Sequence, residues 1–352
     1  MWVTSSLETA LTPTAVALGN FDGVHRGHKQ VIQPVLQTSK SRQPLTVAPS
    51  LSEWQPQSED AALSVCREGD ESMGMVTNHT YATVVTFNPH PQEFFSGEMR
   101  KLLTPQDEKV QQLRSLGVDQ LVLLPFDREL ADLSPQEFVL KILVQQLQAR
   151  RISVGRDFCF GSKRSGTSAD LQAIAASYGI EVDIVSLQLC QGERISSSCI
   201  RQSLSQGDLE RANRLLGRPY SLRGLVVKGQ QLGRTLGFPT ANLQLPSEKF
   251  LPRQGVYCVR VWYSNLATSV SFIPGVMNIG LRPTINGTIC TVEVHLLDWS
   301  GDLYGQTVTV SLEKFLRPEQ KFASLDALKA QIQVDSQVAR AFFSNWNHTN
   351  NL

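Results

Sequence analysis

Cysteine is scarce in this 352-residue chain, where six cysteines lie scattered without a single C-x-x-C pair. Their spacing fits neither a zinc site nor a dense disulfide framework. A basic N-terminal segment leading into an apolar stretch is missing, and no apolar run approaches the roughly 18 residues of a membrane span. These absences predict a reduced, cytoplasmic protein that has no membrane partner.

Net charge is nearly absent as well. Lysine and arginine number 33 against 32 acidic residues, which gives a formal net charge of +1. Such a balance creates no field that would attract nucleic acid, so we expect none as a partner. Hydrophobic residues make up 41% of the chain and charged residues 18%, as in a soluble globular protein. The length favours two domains.

The stretch Gly19–His28, GNFDGVHRGH, is the first chemical motif. It follows the apolar run Ala15–Leu18 and precedes a helical pattern, so it is predicted to be a strand-to-helix turn. Free backbone N–H groups and the helix dipole attract phosphate at such a turn, and glycines let a ligand approach the backbone. His25 and His28 can donate hydrogen bonds to phosphate. Metal ligation by two histidines on one helix face and a purely structural role remain the alternatives.

Short apolar strands alternate with helical patterns through the first half of the chain. This alternation predicts a parallel sheet covered on both faces, with ligands at the carboxyl ends of its strands. Residues 39–80 break every period and are rich in Ser, Pro, Gln and Glu, so we expect a flexible surface insertion there. The predicted strands are residues 15–18, 82–87, 121–124, 151–154 and 181–185.

Two helix starts are readable in this half. Thr104 is predicted to cap a helix with Pro105 at its first position, and Gly117 is expected to close that helix. Ser134 and Glu137 have the spacing of a capping box.

The pattern changes near residue 218, which we take as the boundary between domains 1–218 and 219–352. Beyond it, strands follow one another without intervening helices and are joined by Gly, Pro and Asn turns. An antiparallel barrel or sandwich is therefore expected, followed by a closing helix capped by Ser324. The predicted strands are residues 222–227, 256–262, 270–276, 291–297 and 307–312.

Two further segments could contact phosphate. Residues 161–168, GSKRSGTS, have the glycine spacing of a Walker loop, but Thr167 stands where that loop needs lysine, which excludes a P-loop. A loop that closes over triphosphate and a solvated turn explain them equally well. Residues 229–242 combine glycines with a cation, and Thr240 and Asn242 offer oxygen ligands suited to magnesium. A long hairpin loop is the alternative.

Glu293 alternates with Thr291 and His295 and therefore shares one strand face with them. Taken alone, it is most simply a surface acid in a cross-strand pair.

Taken in order, these motifs closely resemble the bacterial bifunctional riboflavin kinase and FMN adenylyltransferase family, also called FAD synthetase. The resemblance covers nearly the whole chain apart from residues 39–80. It implies an N-terminal Rossmann-like nucleotidyltransferase domain with a parallel sheet and a C-terminal antiparallel β-barrel with a closing helix. The segments that carry it are Gly19–His28, Thr86–Pro91, Asp157–Gly161, Ile195–Arg201, Leu232–Leu243, Gly255–Tyr257, Asn278–Thr284, Val292–Tyr304 and Phe315–Glu319.

The resemblance also implies the chemistry. The C-terminal domain would phosphorylate riboflavin to FMN with ATP and Mg²⁺, and the N-terminal domain would transfer AMP from a second ATP to FMN, releasing pyrophosphate. The implied partners are the small molecules riboflavin, FMN and ATP. Two other hypotheses stay open: an active kinase with a weakened adenylyltransferase half, and a regulator that binds nucleotide and senses flavin without turnover.

Residue roles follow from the same resemblance. His25 and His28 would act on the ATP phosphates, and Glu293 would accept the ribityl hydroxyl proton. Thr240 and Asn242 would bind Mg²⁺ as well as nucleotide. Cys199 departs from the family pattern, because a basic residue is common at that position. The remaining implied ligand-binding residues are Asn20, Asp22, Gly27, Asn88, Pro89, His90, Asp157, Phe158, Ser197, Arg201, Gly233 and Arg234.

Overall fold

The computed structural model describes residues 1–40, 79–229, 233, 237–263, 272–284 and 287–349. Nearly all of the predicted insertion at 39–80 lies outside these ranges, as does the candidate residue Arg234. Within them, no helix is both long and apolar enough to cross a bilayer.

A six-stranded parallel sheet forms the first half, as predicted. Its strands run in the order β1-β4-β3-β2-β5-β8, and β2 is buried at every position because helices cover both faces. Two short strands, β6 and β7, pair separately. The strands are β1 Trp2–Thr4, β2 Thr14–Leu18, β3 Tyr81–Asn88, β4 Gln120–Pro125, β5 Ala149–Gly155, β6 Cys159–Phe160, β7 Gly166–Thr167 and β8 Glu181–Val185.

Helices connect these strands. After the last strand of the sheet, β8, the helical pair α7 and α8 leads to the second half of the chain. A π-helical segment, Val139–Gln146, extends α5, and a 3₁₀ turn spans Ser162–Arg164. The helices are α1 Arg26–Lys40, α2 Pro91–Ser96, α3 Gln106–Leu116, α4 Arg128–Asp132, α5 Pro135–Phe138, α6 Ser168–Ala176, α7 Ser197–Gln206 and α8 Leu209–Leu216.

The local signals for helix ends were mostly correct. The capping box of Ser134 and Glu137 is present, and Gly117 closes α3 in the left-handed conformation at φ 88°. The prediction for Thr104 was wrong, because Pro105 occupies the N-cap position of α3. The Thr104 hydroxyl instead accepts a hydrogen bond from the backbone N–H of Gly23 at 2.9 Å. The Thr104 hydroxyl is therefore used in a long-range hydrogen bond and does not cap the helix.

The second half is a closed antiparallel barrel, which decides between the two predicted architectures. Its strands follow the order β11-β12-β15-β14-β13-β16, and a small hairpin, β9 and β10, precedes α7. The C-terminal helix α9 packs its Ala339 and Phe343 on the outer face of β13 and β14. The elements are β9 Leu189–Cys190, β10 Glu193–Arg194, β11 Tyr220–Val227, β12 Thr240–Gln244, β13 Gly255–Tyr263, β14 Ile273–Thr284, β15 Gly287–Leu296, β16 Thr307–Arg317 and α9 Leu325–Thr349.

Helices α7 and α8 share a hydrophobic core with the barrel. Ile200 and Leu204 of α7 and Leu216 of α8 belong to the same buried cluster as Leu222 and Leu312 of the barrel wall. A parallel bridge between Leu102 and Lys249 adds a backbone contact between the two halves. The two halves are therefore packed together through buried groups.

Candidate active sites

The first candidate site lies where β3, β2 and β5 end side by side. Because neighbouring parallel strands end at the same edge, the segments that follow them meet there. These segments are residues 88–91 after β3, Gly19–His28 after β2, and residues 156–158 after β5. The sequence predicts site residues in all three segments, and the strand order explains why these segments lie together.

The turn after β2 is strained. Phe21 and Val24 have positive φ angles of 47° and 41°, and Gly23 lies at 94°. Such a conformation costs a non-glycine residue on the order of 1–3 kcal/mol, and most for a β-branched one such as Val24. Arg218 holds the turn in place: its Nη2 donates to the carbonyl oxygen of Gly23 at 2.8 Å and its Nη1 to that of Val24 at 3.3 Å. The strained conformation of the turn is thus stabilised by a residue about 195 positions away in the sequence.

His25 and His28 stack on each other, with ring centroids 3.5 Å apart. The Nδ1 of His25 accepts a hydrogen bond from the backbone N–H of His28 at 3.2 Å, so its ring proton belongs on Nε2. Burial lowers the pKa of His25 to about 4. Burial and the neighbouring His25, Lys109 and Arg218 lower the pKa of His28 well below its ordinary value. Both rings are therefore neutral hydrogen-bond donors near pH 7.

Gly27 makes room for this pair of rings. A Cβ at this position would lie 3.2 Å from Cε1 of His25, closer than such contacts usually come. His28 Nδ1 is buried and has no hydrogen-bond partner on the described part of the chain. No group of three or more His, Cys, Asp or Glu side chains that could hold a metal ion occurs among the described residues. The arrangement suits an anion that accepts hydrogen bonds.

Asp22 connects the turn to α7. Its carboxylate accepts hydrogen bonds from the Thr104 backbone N–H at 3.1 Å and from the Arg201 guanidinium. The hydroxyl of Ser197 donates to the Asp22 carbonyl oxygen at 2.7 Å. Arg201 also donates to the carbonyl oxygen of Lys101, and its Nη1 is buried without a partner in the described structure. Hydrogen bonds thus fix Nη2 of the guanidinium, whereas Nη1 makes none to the described residues and is available to a ligand.

The remaining predicted residues of this half lie around the same edge. His90 accepts from the Gln92 backbone N–H and caps α2, and burial with the adjacent Arg100 lowers its pKa to about 4. Asp157 contacts the Arg194 guanidinium. The Phe158 ring stacks on Phe160, with centroids 5.8 Å apart. Asn88 and Pro89 are exposed at the end of β3.

Two cations at this site escaped sequence reasoning. Arg218 clamps the strained turn, and Lys109 on α3 donates from Nζ to the carbonyl oxygen of Asn20 at 2.9 Å. No spacing pattern could have selected either, because the contacts span 89 and 195 positions. These two cations give the site more positive charge than the motif Gly19–His28 predicts.

The second candidate site lies on the outer face of the barrel. The strand register places Asn242 opposite Glu293, and Glu293 opposite Asn278 on the next strand. Because directly paired residues share a face, these side chains point outward together with Thr240 and His295. Their neighbours Leu243, Val292 and Val294 fill the interior. The Thr240 hydroxyl donates to Oε2 of Glu293 at 3.3 Å.

Strand β12 was not among the predicted strands, although it is bonded to β11 on one side and to β15 on the other. The sequence Thr240–Gln244 alternates polar and apolar residues, and that signal was available. Asn278 was also missed as a site residue, although it lies within a segment that carries the resemblance. Gly233 approaches Thr240, since a Cβ there would lie 3.3 Å from its Oγ1.

The oxygen atoms of this second site fit a magnesium ion that is shared with a nucleotide. Mg²⁺ takes one or two protein oxygens and completes its shell with phosphate and water. A hydroxyl, an amide oxygen and a nearby carboxylate, from Thr240, Asn242 and Glu293, provide that set. Beside Asn242 opens a cleft of about 640 Å³, lined by the barrel and by Lys101 of the first half. Its volume suits a small-molecule ligand.

Comparison with known proteins gives concordant matches for both halves. A family model described as Riboflavin kinase matches residues 216–343, and one described as FAD synthetase matches residues 7–58 and 73–199. The bifunctional riboflavin kinase/FMN adenylyltransferase of Escherichia coli (strain K12) is 39% identical over 331 residues, which cover 93% of this chain and 92% of that protein. The protein of the same name from Haemophilus influenzae is 37% identical, with 94% of each chain covered.

One solved structure matches along nearly the full length. It is described as a macrolide-efflux protein from Streptococcus pneumoniae, is 28% identical, and has a TM-score of 0.76. The match covers 96% of this chain and 98% of that one, so both halves of the fold occur there together.

Proposed function

The chain belongs to the family of bifunctional riboflavin kinases and FMN adenylyltransferases, and we propose that each reaction takes place at one of the two sites described above. Riboflavin is phosphorylated to FMN by ATP, and AMP from a second ATP is then transferred to FMN to give FAD and pyrophosphate. The observation that carries the proposal is the presence of two polar clusters with different chemistry, one in each matched region. We assign residues 1–218 to adenylyl transfer and residues 219–352 to the kinase.

At the barrel site the nucleophile is a hydroxyl, which is a weak acid and gains from a base. Glu293 accepts the ribityl hydroxyl proton while the oxygen bonds to the γ-phosphorus of ATP and ADP leaves. The hydrogen bond from the Thr240 hydroxyl orients this carboxylate on the outer face of the barrel, and Asn242 lies opposite Glu293 on the neighbouring strand. Because the transition state is loose, the contribution of the base is moderate.

Magnesium would be held at the same place by Thr240 and Asn242 together with ATP phosphates. When bound, the ion supplies positive charge to the phosphoryl group in transfer. Gly233 and Arg234, earlier in the same segment, complete the proposed nucleotide contacts. Asn278 joins them as a neighbour of Glu293.

At the sheet edge the nucleophile needs no base. A phosphate monoester has a second pKa of about 6, so the FMN phosphate is mostly ionised at neutral pH. The site must therefore position two anions and supply donors to the α-phosphate. Neutral His25 and His28 donate N–H groups, and Arg201 provides fixed charge. Residues 88–90 and 157–158 form the FMN side.

Paired substitutions test this division of labour. His28→Ala should abolish FAD formation and spare FMN formation, whereas Glu293→Ala should do the reverse when FMN is supplied for the second step. Each variant is incubated with ATP and Mg²⁺, once with riboflavin to measure FMN formation and once with added FMN to measure FAD formation, and the two flavins are separated and quantified. Equal loss of both products in either variant would refute the assignment.

The same assay on the unmodified chain distinguishes the other hypotheses. FMN that accumulates without FAD would indicate a weakened adenylyltransferase half. Flavin binding without any ATP turnover would indicate a regulator. The cytoplasm is the proposed location, since both reactions consume ATP and the sequence predicts reduced cysteines.

A further inference from the structure

In the part of the first half that the structure describes, one buried cation has no carboxylate partner. Lys109 is 9% exposed, and no carboxylate in the described part of the chain lies within ion-pair distance of its ammonium group. Its Nζ donates one hydrogen bond, to the carbonyl oxygen of Asn20 at 2.9 Å. Because an ammonium has three donors, two remain without an acceptor among the described residues. Leaving a buried charge in this state is unfavourable unless a ligand uses it.

Nearby, Lys249 shows the contrasting case. It is also buried, but its Nζ donates to Oε2 of Glu108 at 2.6 Å and to the carbonyl oxygen of Leu103 at 2.8 Å. Glu108 and Lys109 are consecutive on α3, yet Glu108 pairs with the barrel and Lys109 contacts the turn after β2. Burial beside α3 therefore does not by itself explain why Lys109 has no carboxylate partner.

Lys109 influences residues that are proposed to bind each of the two substrates. Burial is the main cause of the lowered pKa of His28, on the proposed ATP side, and of His90, on the proposed FMN side, and the charge of Lys109 contributes to both. Burial lowers the pKa of Lys109 itself to about 8, and the nearby carboxylate of Asp22 opposes this effect. The ammonium thus stays mostly protonated at neutral pH and contacts the turn proposed to hold the ATP phosphates.

We propose that Lys109 is a further catalytic residue of adenylyl transfer, whose ammonium group contacts the FMN phosphate and the α-phosphate of ATP as they approach. This inference rests on the proposed function of the sheet-edge site. An FMN phosphate oxygen forms a bond to the α-phosphorus, and the bond from that phosphorus to the bridging β-oxygen breaks. The electron pair leaves with pyrophosphate. The lysine keeps its proton throughout and offsets the repulsion between the two anions.

Lys109→Met removes the charge and keeps the apolar length of the side chain. We expect the kcat for FAD formation from FMN and ATP to fall about 100-fold or more, the usual effect of losing one such donor. Lys109→Arg, which keeps a cation, should retain clearly more activity than Lys109→Met. Lys141→Met is the matched control, because Lys141 is an exposed lysine of the same half that pairs with Glu137. It should leave FAD formation unchanged, and all three variants should form FMN normally.

Thermal unfolding without ligands separates catalysis from structural support. Because the substitution removes a buried charge without an ionic partner, the Tm of Lys109→Met should equal or exceed that of the wild type. A normal rate of FAD formation in Lys109→Met would overturn the inference. A lowered Tm together with a loss of activity that Lys109→Arg does not restore would also overturn the inference. That pattern would indicate that Lys109 only supports the backbone at Asn20. A wild-type chain that forms no FAD would refute the proposed function and this inference with it.

Discussion

Lys249→Met should destabilise the contact between the two halves of the chain. The Lys249 side chain is fully buried and pairs with Glu108, whose side chain is 7% exposed, at 2.6 Å. Its ammonium also donates to the Leu103 carbonyl oxygen and lies 4.5 Å from the centre of the Tyr220 ring. Burial raises the pKa of Glu108 and lowers that of Lys249, so each group depends on the other to stay charged. Removing one partner of such a pair costs about 3–5 kcal/mol.

The assay is urea unfolding followed by circular dichroism, with Lys101→Met as the matched control. Lys101 donates to the Ser247 carbonyl oxygen across the same contact, but it is exposed. Its loss should cost less than about 1 kcal/mol. The comparison holds the location and the substitution constant and varies only burial and pairing.

The double variant Glu108→Gln/Lys249→Met tests the cause. Glutamine removes the charge that Lys249→Met would leave unpaired, yet it can still accept the hydrogen bond from the Arg223 backbone N–H, which Glu108 accepts at 3.3 Å. The double variant should therefore be more stable than Lys249→Met alone. A loss below about 1 kcal/mol in the single variant, or no recovery in the double, would refute the reasoning.

Three further outcomes are expected. Arg218→Met should lower FAD formation with little change in FMN formation, because the carbonyls of the strained turn lose their clamp; equal loss of both products would contradict this. The pKa of His25 is about 4 in the folded chain and 6.5 in the unfolded chain. As the pH falls from 6.5 to 4, this histidine is therefore protonated first in the unfolded chain. The free energy of unfolding should then fall by about 3 kcal/mol more in the wild type than in His25→Gln between pH 7 and pH 4, and parallel pH profiles would exclude this account. Removing Mg²⁺ with a chelator should stop FMN formation, and Asn242→Ala should raise the Mg²⁺ concentration needed for half-maximal rate; an unchanged requirement would contradict the assigned ligand.

The fold was largely predictable because its signals are local. Strands such as Glu181–Val185 and the capping box at Ser134 follow from a few adjacent residues. The barrel closure depends on pairing between distant segments, and the Thr104 hydroxyl, expected to cap α3, instead makes a hydrogen bond to a residue 81 positions away. Local preference sets what a segment can form, and tertiary contacts decide among the options.

The candidate sites divide in the same way. Motifs name the residues that lie on a single turn or strand, such as His25, His28 and Glu293. They cannot name groups that reach a site from elsewhere, such as Lys109 and Arg218. Those contacts become visible only when strand order and register are known, because sequence separation carries no information about them.

The boundary we propose near residue 218 therefore marks a change of topology more than a separation of function. Arg218 stands at this boundary and holds the turn that organises the first half, while Arg201 contacts that turn from a helix whose apolar face packs on the barrel. Two consecutive residues of α3 contact the two halves of the chain. Glu108 pairs with Lys249 of the second half, and Lys109 donates a hydrogen bond to the turn after β2. A rearrangement of the barrel at this contact would thus move groups proposed to hold the ATP phosphates. Substitutions at the contact are expected to change FAD formation even where the altered residue lies outside both sites.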